Sequence, residues 1–277
     1  MRDAAVGHQC PECVAEGRRT QRPARTVFGG GAVGREGYVT KTLIGINVLV
    51  MVLSVLSDRG GDSVVGGTGF AGLLGGFTPL TDWGGVLGYA SYVAGGPLHG
   101  VAAGEVYRLV TAMFLHYGVL HLLMNMWALW VLGRTLEAAL GPLRFLGLYL
   151  LAGLGGNVAV YYFTAQNVQS VGASTAIFGL FAALFIIMRR LGRDTSSVVP
   201  VLVINLLFTF MVPNISVAGH LGGLVTGGLM ALVLAYAPRT RRTQLQIAGG
   251  VVILLLLVVL TALRTADLLG RESLLLG

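Results

Sequence analysis

The chain has 277 residues, of which 55% are hydrophobic and 11% charged, and a mean hydropathy of +0.77. This excludes an ordinary soluble domain and indicates several passages through a bilayer. The net charge of +7 follows the pattern expected of membrane topology, so it makes no case for nucleic-acid binding.

In chain order, residues 1–37 form a polar, basic tail with no cleavable signal peptide, so the first span acts as an anchor. The only cysteines, Cys10 and Cys13 in "HQCPEC", form half of a zinc-site pattern with His8 nearby; a closed structural site needs four ligands. The pair therefore reads as a partial zinc site, as the end of a zinc module begun upstream, or as two free thiols in a disordered tail. Seven spans follow, near 42–57, 109–132, 145–164, 171–188, 198–213, 217–237 and 246–263. Residues 58–107 form a long first loop, Gly-rich, lying partly in the interface. The fifth span is short and closed by Pro213. The seventh is uniformly apolar and appended to a six-span core at 38–238; residues 239–277 hold it and a short tail.

Fifteen basic residues fall on one side if the N-terminus is cytoplasmic, and four on the other. That bias predicts a cytoplasmic N-terminus and an external C-terminus. The fold class expected is therefore an all-α polytopic membrane protein, located in the cell membrane.

Polar groups inside spans are costly and usually functional. No Asp or Glu lies mid-span; Glu105 and Glu137 sit at span ends. An aspartyl intramembrane protease, an H-E-x-x-H zinc protease and a proton-coupled transporter all lose support. The remaining candidates are His116, His121 and Asn125 in span two, Ser174 at the start of span four, and His220 near the start of span six. Spans two, four and six share one orientation, so Ser174 and His220 lie at similar depth from the same side. Gly219, Gly223 and Gly227 repeat every four residues, and Ala176, Gly179 and Ala183 give span four a small-residue stripe. Such stripes let membrane helices approach closely; they serve either plain packing or a close crossing that brings His220 to Ser174. In the second case a base reaches a serine hydroxyl. The Ser174 backbone N–H at a helix start, His121 and Asn125 are then donors for an oxyanion. With no buried acid this is a Ser–His dyad.

The same residues carry a family resemblance. "GASTAIFG", "HLLMN", "GHLGGLVTG" and "YR" at Tyr107–Arg108 resemble, in order, motifs of the rhomboid intramembrane serine proteases, from about residue 107 to 237. The Cys10–Cys13 pair resembles the end of a small zinc-binding module on some actinobacterial members; separately, the Arg excess, with much Ala, Gly and Val, points to a GC-rich bacterial genome. The resemblance implies Ser174 as nucleophile, His220 as general base, and His121, Asn125 and the Ser174 N–H as oxyanion hole. It also implies that Gly172 shapes the substrate approach, that His116 is a supporting histidine, and that Phe178 supports His220 where some members have Tyr. Members use no cofactor and cut single-span transmembrane substrates near the outer face. Thr175 departs from the family's usual Gly and is expected to narrow the cavity or alter preference. The rival reading is an inactive rhomboid-like protein that binds transmembrane clients; a channel and a soluble hydrolase fit less well. Oligomeric state is not readable.

Overall fold

The computed structural model describes residues 2–3, 8–20, 25–31, 36–58, 75–92, 96–211 and 215–276. Pro213 and Asn214, and residues 59–74 and 93–95 of the first loop, lie outside the described residues. Seven long helices are described: α1 Tyr38–Ser57, α2 Val119–Leu140, α3 Pro142–Phe163, α4 Ser174–Arg190, α5 Val198–Met211, α6 Val217–Tyr236 and α7 Arg242–Leu276. Among the described residues five segments are long and apolar enough to cross a bilayer: α1, α2, α3, α6 and residues Arg239–Arg271. α4 has 17 residues and α5 has 14, about 25 and 21 Å at 1.5 Å per residue. Both are shorter than a hydrocarbon core of about 30 Å. The protein is an all-α polytopic membrane protein. Large side chains such as Trp127, Phe163 and Phe210 remain exposed, as lipid-facing residues do.

Span two begins and ends later than the sequence predicts, at Val119 and Leu140 rather than 109 and 132. Residues 108–114 are apolar but form a short helix, Arg108–Thr111, and a 3-10 turn, Ala112–Phe114. Leu109, Ala112 and Met113 are buried. They pack inside the protein: Met113 lies against Gly153 of α3, and the Leu109 and Ala112 carbonyls accept from Asn157 and the Gly172 amide. α7 likewise extends well beyond 246–263.

α6 is the wedge of the bundle, packed on α3 and α4. A methyl group on Gly227 would overlap Gly179 of α4, and one on Gly222 would overlap Ala159 of α3. Glycine on both faces lets the three backbones meet, so van der Waals contact rather than the hydrophobic effect holds them. α7 joins the outside of α3. The Tyr162 hydroxyl donates to the Leu260 carbonyl at 2.6 Å, and Tyr161 and Thr265 pair at 2.9 Å.

The two ends of the bundle differ in chemistry. At one end Arg144 donates to Gln246 and Thr243, Arg242 to the Val27 carbonyl, and Arg190 to the Ala235 carbonyl. Phe28 is buried there, and Gly30 lies against the Leu140 carbonyl. Part of the N-terminal tail, around residues 27–30, is thus docked on the core. Glu137 lies in the last turn of α2, at the span end as expected, and is fully buried there. Its carboxylate accepts from the Val39 and Thr40 amides at 2.9 and 2.8 Å, and from the Thr40 hydroxyl at 2.7 Å. It caps the start of α1, which has no capping side chain of its own.

At the other end the first loop is folded around Arg108, which is 1% exposed. Its guanidinium donates to Glu105 at 2.6 Å, to the Asp82 and Gly85 carbonyls, and to the Tyr92 hydroxyl. Tyr107 stacks on Trp83 at 4.7 Å. This loop grips the segment leading into α4: Val86 and Ser170 exchange backbone hydrogen bonds at 2.8 and 3.0 Å.

Candidate active site

Ser174 is the first residue of α4. Gly172 before it has φ 138°, a conformation that favours glycine. Its N–H is held by the Ala112 carbonyl at 2.9 Å. A methyl group on Gly172 would lie 3.0 Å from His121 Cε1, 3.1 Å from His121 Nε2 and 3.3 Å from Ser174 Oγ. The histidine edge and the serine hydroxyl therefore border one small space, and a glycine leaves it open.

α6 starts at a Ser216 cap, whose hydroxyl accepts from the Gly219 amide at 3.0 Å. One turn in, the 6% exposed His220 places Nε2 2.8 Å from Ser174 Oγ. Phe178, one turn along α4 from the serine, stacks on the His220 ring at 4.0 Å and 16°. On its other nitrogen, Nδ1, His220 meets Thr209 Oγ1 of α5 at 2.7 Å.

From α2, Asn125 is buried and donates one amide proton to the His121 carbonyl at 2.9 Å; an amide NH₂ has a second to give. His116, 1% exposed, meets the His121 ring edge-on at 5.0 Å. Gly219 and Gly223 face Thr175 of α4. The structure thus gathers Ser174, His220, Phe178, Gly172 and His121 at one place, with Asn125 bonded to the His121 carbonyl and His116 against the His121 ring. The glycines lie in the helix seam that brings α6 to α4.

Thr175 does not narrow this space. It is buried against Gly156 and Gly219, in the seam between α3 and α6. Cys10 and Cys13 are exposed, far along the chain from the site, and among the described residues no group of three or more His, Cys, Asp or Glu could hold a metal ion.

Two contributors were not anticipated from the sequence. Thr209 was hidden in an apolar run, although its i, i+4 spacing from Asn205 is a signal of paired polar positions. Tyr117 donates to the Gln169 carbonyl at 2.9 Å, pinning the approach to α2 against the approach to α4. Burial, with the Asp82 charge adding to it, pushes the Tyr117 phenol well above its ordinary value. It therefore stays a neutral donor.

The arrangement is that of a polytopic helical membrane protein with a serine–histidine contact held near one end of its bundle. Residues 103–237 match the Rhomboid domain, and the chain belongs to the rhomboid family. It is 39% identical over 142 residues to rhomboid protease GluP of Bacillus subtilis, covering 48% of this chain and 27% of GluP. It is 38% identical over 148 residues to YdcA of the same organism, a candidate rhomboid protease by its name, covering 52% of this chain and 74% of YdcA. RHOMBOID-like protein 5 of Arabidopsis thaliana is 33% identical over 147 residues, half of this chain and 47% of that protein. The chain thus spans about a quarter of the length of GluP and about three quarters of YdcA.

Proposed function

We propose that the protein is an intramembrane serine endopeptidase that cuts single-span membrane proteins near the outer face of the cell membrane. The observation that carries this is the 2.8 Å contact between His220 Nε2 and Ser174 Oγ, in a chain whose relatives GluP and YdcA carry "protease" in their names. As Ser174 Oγ attacks the scissile carbonyl, its proton passes to Nε2. The oxyanion is met by the Ser174 N–H at the α4 start, by His121 and by the free proton of Asn125. Nε2–H then protonates the leaving amine. Water, deprotonated by the same nitrogen, then attacks the acyl carbonyl; the C–Oγ bond breaks, the product carboxyl group leaves, and Nε2–H returns its proton to Ser174 Oγ. Phe178 holds the ring, and Gly172 leaves room for the substrate backbone.

The basic end of the bundle faces the cytoplasm, by the excess of positive charge there, and the site end faces outward. α4 is too short to span the hydrocarbon, so Ser174 lies below the outer surface, with the polar segment 164–170 admitting water. A substrate helix must unwind to expose its carbonyls, so helix-breaking residues near the cut favour cleavage. The substrate enters between α2 and α5. Both helices carry exposed apolar side chains, Leu123, Met124 and Trp127 on α2 and Leu207, Phe208 and Phe210 on α5.

The test is cleavage of a tagged single-span substrate in reconstituted vesicles. Cleavage that Ser174→Ala and His220→Ala abolish supports the reading. Binding of the substrate without cleavage by a folded wild type would favour a client-binding protein instead. Cross-linking α5 to α2 is expected to block cleavage, and unchanged turnover would refute that entry route.

A further inference from the structure

α5 buries only two of its 14 residues, Val198 at its start and Thr209 near its end. Phe208 and Phe210, on either side of Thr209, are 47% and 62% exposed, whereas Thr209 is 3% exposed. A hydroxyl taken into apolar surroundings needs hydrogen-bond partners. Thr209 Oγ1 has two: the Asn205 carbonyl at 2.9 Å and His220 Nδ1 at 2.7 Å.

The proton count assigns the direction of each bond. A carbonyl only accepts, so the single Thr209 proton goes to Asn205. The Thr209 oxygen then accepts from His220, and Nδ1 carries the ring proton. In a neutral imidazole this leaves a lone pair on Nε2, which faces Ser174 Oγ. The bonds run one way, from Ser174 to His220 to Thr209 to the Asn205 carbonyl.

We infer that Thr209 is a positioning residue: it selects the tautomer in which His220 is a base toward Ser174, and it fixes the ring from the side opposite the serine. This rests on the Ser174–His220 reading above. In Ser-His-Asp enzymes a carboxylate performs this task. A hydroxyl anchored on a backbone carbonyl performs it without a buried charge, which a membrane interior disfavours. The placement on α5 has a consequence. If α5 moves outward to admit a substrate, it takes the acceptor with it, and Nδ1 loses the partner that keeps its proton. An open α5 and an oriented base exclude one another, so chemistry waits for α5 to return.

The test uses the full chain in bilayers with 15N-labelled histidine, the His220 signals being identified by their loss in His220→Ala. The wild type at neutral pH is expected to show Nδ1 protonated and Nε2 bare; Nε2–H in the wild type overturns the inference, whether or not any variant folds. Thr209→Val is expected to lower kcat by about 10- to 100-fold, the loss that follows when a buried donor is left without its acceptor. KM should stay within about twofold, and Thr209→Ser should restore kcat to within about threefold. A Thr209→Val protein with wild-type kcat and an unchanged tautomer overturns the inference, even if its Tm falls. The two levels separate cleanly. If Ser174→Ala silences the protein but Thr209→Val does not slow it, the inference fails alone. If Ser174→Ala leaves cleavage unchanged, the Ser174–His220 reading fails and takes the inference with it.

Discussion

Gly223 of α6 lies so close to Thr175 of α4 that a methyl group on the glycine would overlap the Thr175 carbonyl oxygen. Ser174 precedes that carbonyl by one residue and His220 precedes Gly223 by three, so this backbone contact sets the distance between the serine and the histidine. Gly223→Ala is expected to push α6 away from α4, because a backbone oxygen cannot rotate aside. The expected loss is about 1–3 kcal/mol of stability, as for overpacking elsewhere, with cleavage lost more steeply than Tm. Gly45→Ala is the control. Its methyl group would meet nothing within 4 Å, so Tm should hold or rise.

Glu137 is the one acid buried within a long helix among the described residues, and it works as a cap. Its three hydrogen bonds from Val39 and Thr40 hold the start of α1. Glu137→Ala leaves two amides and a hydroxyl unpaired in a site without water. A loss of about 2–4 kcal/mol in thermal or denaturant unfolding is expected, from about 1–3 kcal/mol for each buried group left unsatisfied, partly relieved by relaxation. Activity per folded molecule should be unchanged; a changed cleavage pattern would show that the acid does more than hold α1.

Acid should loosen the first loop before the helices. Burial works to raise the Glu105 carboxyl. The hydrogen bonds from His99, the Gly100 amide and Arg108, together with the Arg108 charge, outweigh it and hold the group below its ordinary value of 4.5. A depressed folded value means that the contribution is complete above pH about 4.5, and is lost as pH falls through the lower folded value. Melting followed against pH should show that loss in the wild type and a flatter profile in Glu105→Gln. Parallel profiles would contradict the loop's dependence on the ionised carboxylate.

Phe178 meets His220 with a ring face at 4.0 Å, and stacked aromatic pairs contribute about 0.5–1.5 kcal/mol beyond area burial. Phe178→Leu is therefore expected to lower kcat roughly two- to tenfold by that same range, whereas Phe178→Tyr keeps the face and should retain most of the rate. Equal rates for Phe178→Leu and wild type would show that the ring is not needed to hold the base.

Much of this arrangement is readable before any coordinates. Ser174 and His220 stand out as polar residues at matched depth in apolar runs, whereas the glycine stripe on span six is equally at home in plain helix packing. Other parts are hidden for physical reasons. The start of α2 is blurred because Leu109, Ala112 and Met113 are as apolar as a span yet pack against α3 and the approach to α4. That loop's order depends on Arg108, whose acceptors at Asp82, Gly85 and Tyr92 are mostly backbone carbonyls and leave no mark in spacing. Thr209 looks self-sufficient in sequence, since a helical threonine can always bond the carbonyl four residues back. Only the tertiary position of α5 shows that its oxygen also faces His220.

The central claim is that Ser174 is an activated nucleophile with His220 as its base. It is tested most directly by labelling the purified protein with a fluorophosphonate, which reacts with an activated serine. The account predicts labelling of the wild type that disappears in both Ser174→Ala and His220→Ala. Labelling that persists in Ser174→Ala, or a well-folded wild type that neither labels nor cuts a single-span substrate, would contradict it.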